Sequence, residues 1–125
     1  MAYRVSREKF EELAEEAFES LPDVYLHYFA NITIMVEDHP SPEDLRGLGK
    51  EEGLLLGLFS GVPYPAKSGF FDLPQPLPDK IMLYQRNLES ISSSEQELVK
   101  EIRKTLMHEV GHYFGLSEDD LRKYE

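Results

Sequence analysis

Residues 94–118 read SEQELVKEIRKTLMHEVGHYFGLSE, and this stretch predicts the longest element of the fold. Ser94 and Glu97 have the spacing of a capping box, the reciprocal side-chain to backbone pairing that begins many helices. Apolar residues then recur at helical spacing, at Leu98, Ile102, Leu106, Val110 and Tyr113. The pattern predicts a helix from about Glu95 to Phe114 with one buried face.

Two histidines of this helix, His108 and His112, are four residues apart. That spacing puts both imidazoles on one helix face about one turn apart, where they can bind a single metal ion. Glu109 projects about 100° further round the helix, so its carboxylate can reach a water on that metal without binding the metal. The histidines fall at the margin of the apolar stripe, whereas Lys100 and Lys104 are predicted on the far, solvated side.

The acidic residues that follow His112 are the candidates for a third metal ligand. Gly115 is placed to end the helix in a left-handed conformation and to turn the chain back towards the histidines. This turn would bring Glu118 to the metal, with Asp119 and Asp120 as alternatives. The same acids also fit the first turn of a short C-terminal helix capped by Ser117.

This ligand set has a definite chemistry. Two neutral imidazoles and one carboxylate suit zinc, and they leave the fourth tetrahedral position for water, as in catalytic zinc sites. Zinc would lower the pKa of that water to about 7, and Glu109 would accept its proton as it attacks a carbonyl carbon. The motif therefore predicts metal-assisted hydrolysis with Glu109 as general base.

The segment HEVGHYFGLSE, preceded by a long amphipathic helix, resembles the minimal zincin-like metallopeptidases, small bacterial proteins with HExxHxxG followed by an acid. The likeness extends to VYLHYFANITIMVED, LLLGLFSGVP and LPDKIMLYQ. It implies a zincin fold, one zinc ion held by His108, His112 and Glu118, and a sheet edge beside the metal where an extended peptide can bind. The chain departs from metzincins, because an acid replaces their third histidine and no methionine follows His112. It also has glutamate at position 118, where family members typically have aspartate.

Two helices and three strands are predicted before the HExxH helix. They are a helix over Arg7–Ser20 capped by Ser6, a short helix over Asp23–Phe29, a core strand over Asn31–Glu37, and strands over Leu54–Ser60 and Lys80–Gln85. Gly57 within the second strand indicates a bulge or a close backbone contact. The order predicts an α+β domain in which a small mixed sheet packs on an N-terminal helix and the C-terminal HExxH helix.

The other histidines and the proline-rich segment are interpreted separately. His27 has no second ligand at a helical interval, so it is predicted to be structural. Asp38 and His39 are predicted to be loop residues rather than a metal pair, because adjacent residues of an extended chain face opposite ways. Gly61–Pro78 is expected to border the cleft and supply apolar pockets, or else to be a surface loop held by its own aromatic residues.

Composition limits the kinds of partner. A length of 125 residues predicts one domain over residues 1–125. The absence of cysteine fits a reducing cytoplasm, and no apolar run or leader pattern predicts a membrane segment. The net charge of −11 argues against nucleic acid. It would attract a basic peptide or protein substrate, or else it reflects a solvated acidic surface that keeps the protein soluble.

Two classes of function fit these observations. The first is a zinc-dependent peptidase, for which Tyr84 and Tyr113 are the candidate stabilisers of the oxyanion. The second is a non-catalytic metal-binding or regulatory protein-interaction domain that keeps the zincin fold, which the missing methionine turn motivates. Hydrolysis of a non-peptide amide would use the same residues as the first.

Overall fold

The computed structural model describes residues 2–29, 32–42, 54–60 and 79–113, without the side chains of residues 27, 28, 112 and 113. Its elements are α1 (Arg7–Glu19), α2 (Asp23–Tyr28), β1 (Ile32–Glu37), β2 (Gly57–Ser60), β3 (Asp79–Tyr84), α3 (Gln85–Ser90) and α4 (Glu95–Tyr113). The predictions for the His27 side chain, for Gly61–Pro78 and for the chain after Tyr113 lie outside the described residues. The predicted α+β class is confirmed.

The sheet is small and mixed, as predicted. Its order is β1-β3-β2, with β1 parallel and β2 antiparallel to β3. Among the described strands β1 therefore lies at one edge. The strand predicted over Asn31–Glu37 is observed over Ile32–Glu37, and its residues Ile32, Ile34 and Val36 pack against the core. Its residues alternate between half-buried and exposed, with Met35 42% exposed. The alternation of ITIMVE is that of a strand covered on one face, which its β-branched content alone does not reveal.

The core lies between the sheet and the two long helices. On α4, Leu98, Ile102, Leu106 and Val110 are fully buried, so the predicted apolar stripe is confirmed at these four positions. The stripe packs with buried residues of α1 and β3, namely Phe10, Leu13, Ala14, Ala17, Ile81 and Leu83. Each fully buried aliphatic side chain stabilises the fold by about 1.5–3 kcal/mol, which holds α4 firmly against the sheet.

The start of α4 is fixed by serine and glutamate side chains. Ser94 Oγ accepts a hydrogen bond from the Glu97 amide at 3.1 Å, which is half of the predicted capping box. Glu97 Oε2 reaches back one residue further than predicted and accepts from the amide and the hydroxyl of Ser93, both at 2.7 Å. These hydrogen bonds hold the pKa of Glu97 below its usual range. The first turn of α4 is therefore capped by a serine pair.

Replacing Ser94 with alanine should lower the free energy of unfolding by about 1 kcal/mol, because the Glu97 amide then loses its acceptor. Urea unfolding of wild type and variant measures the change. Gln96→Ala, an exposed substitution in the same turn, should change stability by less than about 0.5 kcal/mol. Equal unfolding midpoints for Ser94→Ala and wild type would show that the cap contributes nothing.

Helix α3 was not predicted, and its residue Gln85 had been assigned to the preceding strand. It has only six residues, too few to display an apolar period, and its buried positions include polar side chains. Glu89 is 1% exposed, yet both of its oxygens are bonded. Oε2 accepts from the Val5 amide at 2.9 Å and Gln85 Nε2 at 3.1 Å, and Oε1 accepts from Arg86 at 2.8 Å. This network ties the N-terminal segment to the end of β3.

The loop after β1 is held by two contacts. Arg7 donates to Asp38 Oδ1 at 2.7 Å and to the Val36 carbonyl at 3.1 Å. His39 Nδ1 lies 3.3 Å from Asn87 Oδ1. Asp38 and His39 thus have separate partners in a bend, as predicted for loop residues. The Arg7 hydrogen bond also holds the pKa of Asp38 below its ordinary value of 3.8.

This ion pair predicts a small acid-dependent loss of stability. Because the folded-state pKa of Asp38 is depressed, its contribution is present above the unfolded value of 3.8 and is lost as pH falls through the folded pKa. Asp38→Asn should therefore be less stable than wild type at neutral pH, and the gap should narrow as pH falls below 3.8 and through the lower folded-state pKa. Urea midpoints of both proteins across an acid pH series measure this. A gap that persists unchanged in acid would contradict the assignment.

Candidate metal centre

A cleft lies between α4 and the β2 segment. It has a volume of about 370 Å³, and its wall combines apolar residues before and within β2 with polar residues of α4. The lining residues are Leu54, Leu55, Leu56, Gly57, Glu101, Lys104, Thr105, His108 and Glu109. Two of the four predicted site residues, His108 and Glu109, therefore face one cleft, and both are half-buried.

The carboxylate of Glu109 is bonded to the backbone of β2. Its Oε1 accepts a hydrogen bond from the Phe59 amide at 3.0 Å. Tyr84 donates its amide to the Leu56 carbonyl at 3.0 Å, which makes these two residues a hydrogen-bonded pair of the antiparallel ladder. Because such pairs alternate along the strand, the Gly57 and Phe59 amides point away from β3, on the side of β2 that has no partner among the described strands. Glu109 therefore binds the edge of β2 that faces the cleft.

Close packing of β2 against α4 depends on Gly57. A Cβ added there would lie 2.5 Å from Thr105 Cγ2 and 3.1 Å from the Met82 carbonyl oxygen. Any other side chain would therefore collide with α4 in the observed arrangement. Of the two interpretations of this glycine, the structure confirms the close contact.

The structure describes the side chains of some predicted site residues but not of others. His108 and Glu109 are described, and His112 lies one turn further along α4, which remains helical through Tyr113. The side chain of His112 lies outside the described residues, as do Glu118 and Asp119. Within the described part of the chain, no group of three or more metal-ligating side chains occurs.

Two expectations about neighbouring residues change. Lys104 was predicted on the solvated side of α4, but it is half-buried and lines the cleft one turn before His108. Tyr84 is 1% exposed and lies in the core rather than in the cleft, so it does not serve as the oxyanion stabiliser. The Tyr113 side chain is outside the described residues.

The chemistry of the site fits zinc as far as the described residues extend. A half-buried imidazole, with the second histidine one helical turn away, provides the nitrogen donors that zinc prefers. The adjacent carboxylate of Glu109 is engaged with the strand edge, as expected for a proton acceptor that does not ligate the metal.

Comparison with known proteins agrees with this geometry. A family model for zincin-like metallopeptidases matches residues 29–125. The chain belongs to the zincin-like metallopeptidase family. This zincin-like protein is also similar to the solved structure of a conserved hypothetical protein from T. thermophilus, with 26% sequence identity and a TM-score of 0.55. The similarity covers 88% of this chain and 94% of that one. No curated protein matches the chain significantly.

Family membership supports a metallopeptidase-type fold with a zinc centre and accounts for the motif helix beside a sheet edge. None of the helices in the described ranges of this zincin-like protein is both long and apolar enough to cross a membrane. The sequence pattern indicated His108 and Glu109 as site residues. It could not indicate the Phe59 amide, because every residue except proline has a backbone N–H group. Gly57 was the available signal that β2 approaches another element.

Proposed function

We propose that this zincin-like protein is a zinc-dependent peptidase of the cytoplasm. His108, His112 and Glu118 would hold the zinc ion, with Asp119 as the alternative carboxylate. The observation that carries the proposal is that His108 and Glu109 face a single cleft beside the outer edge of β2. A ligand, a proton acceptor and a substrate-binding edge then lie side by side, which is the arrangement that peptide hydrolysis requires.

Zinc bound there would polarise the scissile carbonyl and lower the pKa of a bound water to about 7. Glu109 accepts a proton from the attacking water as its oxygen bonds to the carbonyl carbon. The same carboxyl then delivers this proton to the amine nitrogen as the C–N bond breaks. Glu109 thus acts first as base and then as acid.

The cleft supports an extended peptide as substrate. We expect an extended peptide to lie along the side of β2 that is turned away from β3 and borders the cleft, beside Gly57. Leu54, Leu55 and Leu56 provide apolar surface for its side chains. The net charge of −11 favours basic peptides or proteins over acidic ones.

Metal removal and restoration test this proposal. The zinc-loaded protein should cleave members of a diverse peptide library, a chelator should abolish cleavage, and one equivalent of zinc should restore it, whereas magnesium should not. Mass spectrometry of the products measures each rate. Cleavage that survives complete metal removal would contradict the proposal. Zinc binding without cleavage of any peptide would also contradict it, and would favour the non-catalytic metal-binding or protein-interaction domain.

A further inference from the structure

We infer that Gly57 and Thr105 form a positioning contact, which sets the distance between β2 and α4 and so keeps the Glu109 carboxylate on the Phe59 amide. The inference rests on the proposed function only where it treats Glu109 as the general base. Neither residue contacts the reacting atoms, so both are positioning residues. The observations are the Gly57–Thr105 approach and the Glu109–Phe59 hydrogen bond.

The Gly57–Thr105 approach and the Glu109–Phe59 hydrogen bond both join β2 to α4, and they are next to each other along these two elements. Along β2, Phe59 follows Gly57 by two residues, an advance of about 6.6 Å on the same face of the strand. Along α4, Glu109 follows Thr105 by four residues, an advance of about 6 Å on nearly the same face of the helix. Because these advances match, the spacing at the Gly57–Thr105 contact determines the spacing at the hydrogen bond.

The space between Gly57 and Thr105 is too narrow for a Cβ atom at position 57. A Cβ on residue 57 would lie 2.5 Å from Thr105 Cγ2, whereas ordinary van der Waals contact begins at 3.4 Å. The helix and strand would therefore have to separate by roughly 1 Å. The Glu109–Phe59 distance is 3.0 Å, and a separation of that size would take it beyond hydrogen-bonding range.

The methyl group of Thr105 cannot easily turn aside. Thr105 is 7% exposed, and its Oγ1 donates to the Glu101 carbonyl at 2.8 Å, which fixes the χ1 rotamer and hence the direction of Cγ2. Rotating the methyl away would break this hydrogen bond in a buried position. Serine at position 105 keeps the hydroxyl and removes only the methyl, so Thr105→Ser removes the 2.5 Å approach. The 3.1 Å approach to the Met82 carbonyl oxygen remains, and it requires a shift of only a few tenths of an ångström.

The test is a double-mutant cycle of Gly57→Ala and Thr105→Ser, with kcat, KM, zinc content and hydrogen exchange of the Phe59 amide as readouts. In the wild-type background, Gly57→Ala should lower kcat by about 10- to 100-fold, because a misplacement of about 1 Å has effects of this size. KM and zinc content should change by less than about threefold, and exchange at Phe59 should accelerate by about tenfold or more. In the Thr105→Ser background the same substitution should change kcat and exchange by less than about threefold.

Equal losses in both backgrounds, or no change at Phe59 in Gly57→Ala, would overturn the inference. If Gly57→Ala does not fold, the double variant is compared with Thr105→Ser alone. Agreement of kcat and Phe59 exchange within about threefold supports the inference, and a larger gap or failure of the double variant to fold overturns it. If the wild type cleaves no peptide, the proposed function fails, while the exchange measurements on metal-free protein still decide the positioning contact.

Discussion

Replacing Glu109 with glutamine should lower kcat for peptide hydrolysis by about 10²- to 10⁴-fold, which is the usual contribution of a general base. Glutamine has the size of glutamate and keeps an oxygen that can accept from the Phe59 amide at 3.0 Å. It cannot accept the proton of the attacking water. The substitution therefore removes the chemistry while it preserves the packing of α4 against β2.

The zinc content of Glu109→Gln should equal that of wild type, because Glu109 is assigned no role as a ligand. Glu95→Gln makes the same chemical change in the exposed first turn of α4 and should leave kcat within about twofold of wild type. A Glu109→Gln protein that cleaves peptides at the wild-type rate would remove the catalytic assignment. A variant that loses its zinc would instead make Glu109 a ligand.

Replacing His108 with alanine should weaken zinc binding by more than about 100-fold, since even outer partners of a metal site contribute 10- to 100-fold. Hydrolysis should be lost at zinc concentrations that saturate the wild type. Competition with a chromophoric chelator measures the affinity. The effect follows from removing one nitrogen donor of the proposed site with three protein ligands.

His39→Ala is the matched control, because it deletes the same side chain from the bend that follows β1. That imidazole is paired with Asn87, and zinc affinity should stay within about twofold of wild type. Equal zinc affinity for His108→Ala and wild type would place the metal elsewhere. A large loss in His39→Ala would identify the bend as the site and contradict the interpretation of Asp38 and His39.

The helices with long periodic patterns were predictable because their burial is encoded locally. Leu98, Ile102, Leu106 and Val110 alone indicate the buried face of α4, and all four are buried. Helix α3 lacks such a pattern, since its structure depends on partners far along the chain, including the amide of Val5 on Glu89. The position of β1 at a sheet edge likewise depends on which strands pair, which a single strand does not encode.

In the candidate site, too, some residues could be predicted from the local sequence and others depend on contacts between distant parts of the chain. His108 and Glu109 were predicted as site residues because the HExxH spacing indicates metal chemistry, and both line the cleft. The Phe59 amide is 50 residues away in sequence from Glu109, and only the packing of β2 on α4 brings them together. The place of Lys104 in the cleft could not be predicted for a related reason, since helical periodicity gives the direction of a side chain but not which other element lies near it.

The most direct test of the account is a zinc-edge anomalous difference map from crystals of the protein grown with zinc. We expect one strong peak about 2.0–2.2 Å from a ring nitrogen of His108 and of His112, and at a similar distance from a carboxylate oxygen of Glu118 or Asp119. Glu109 should lie nearby without ligating the ion. A map with no peak between these two histidines, or with its peak at another site, would contradict the central claim.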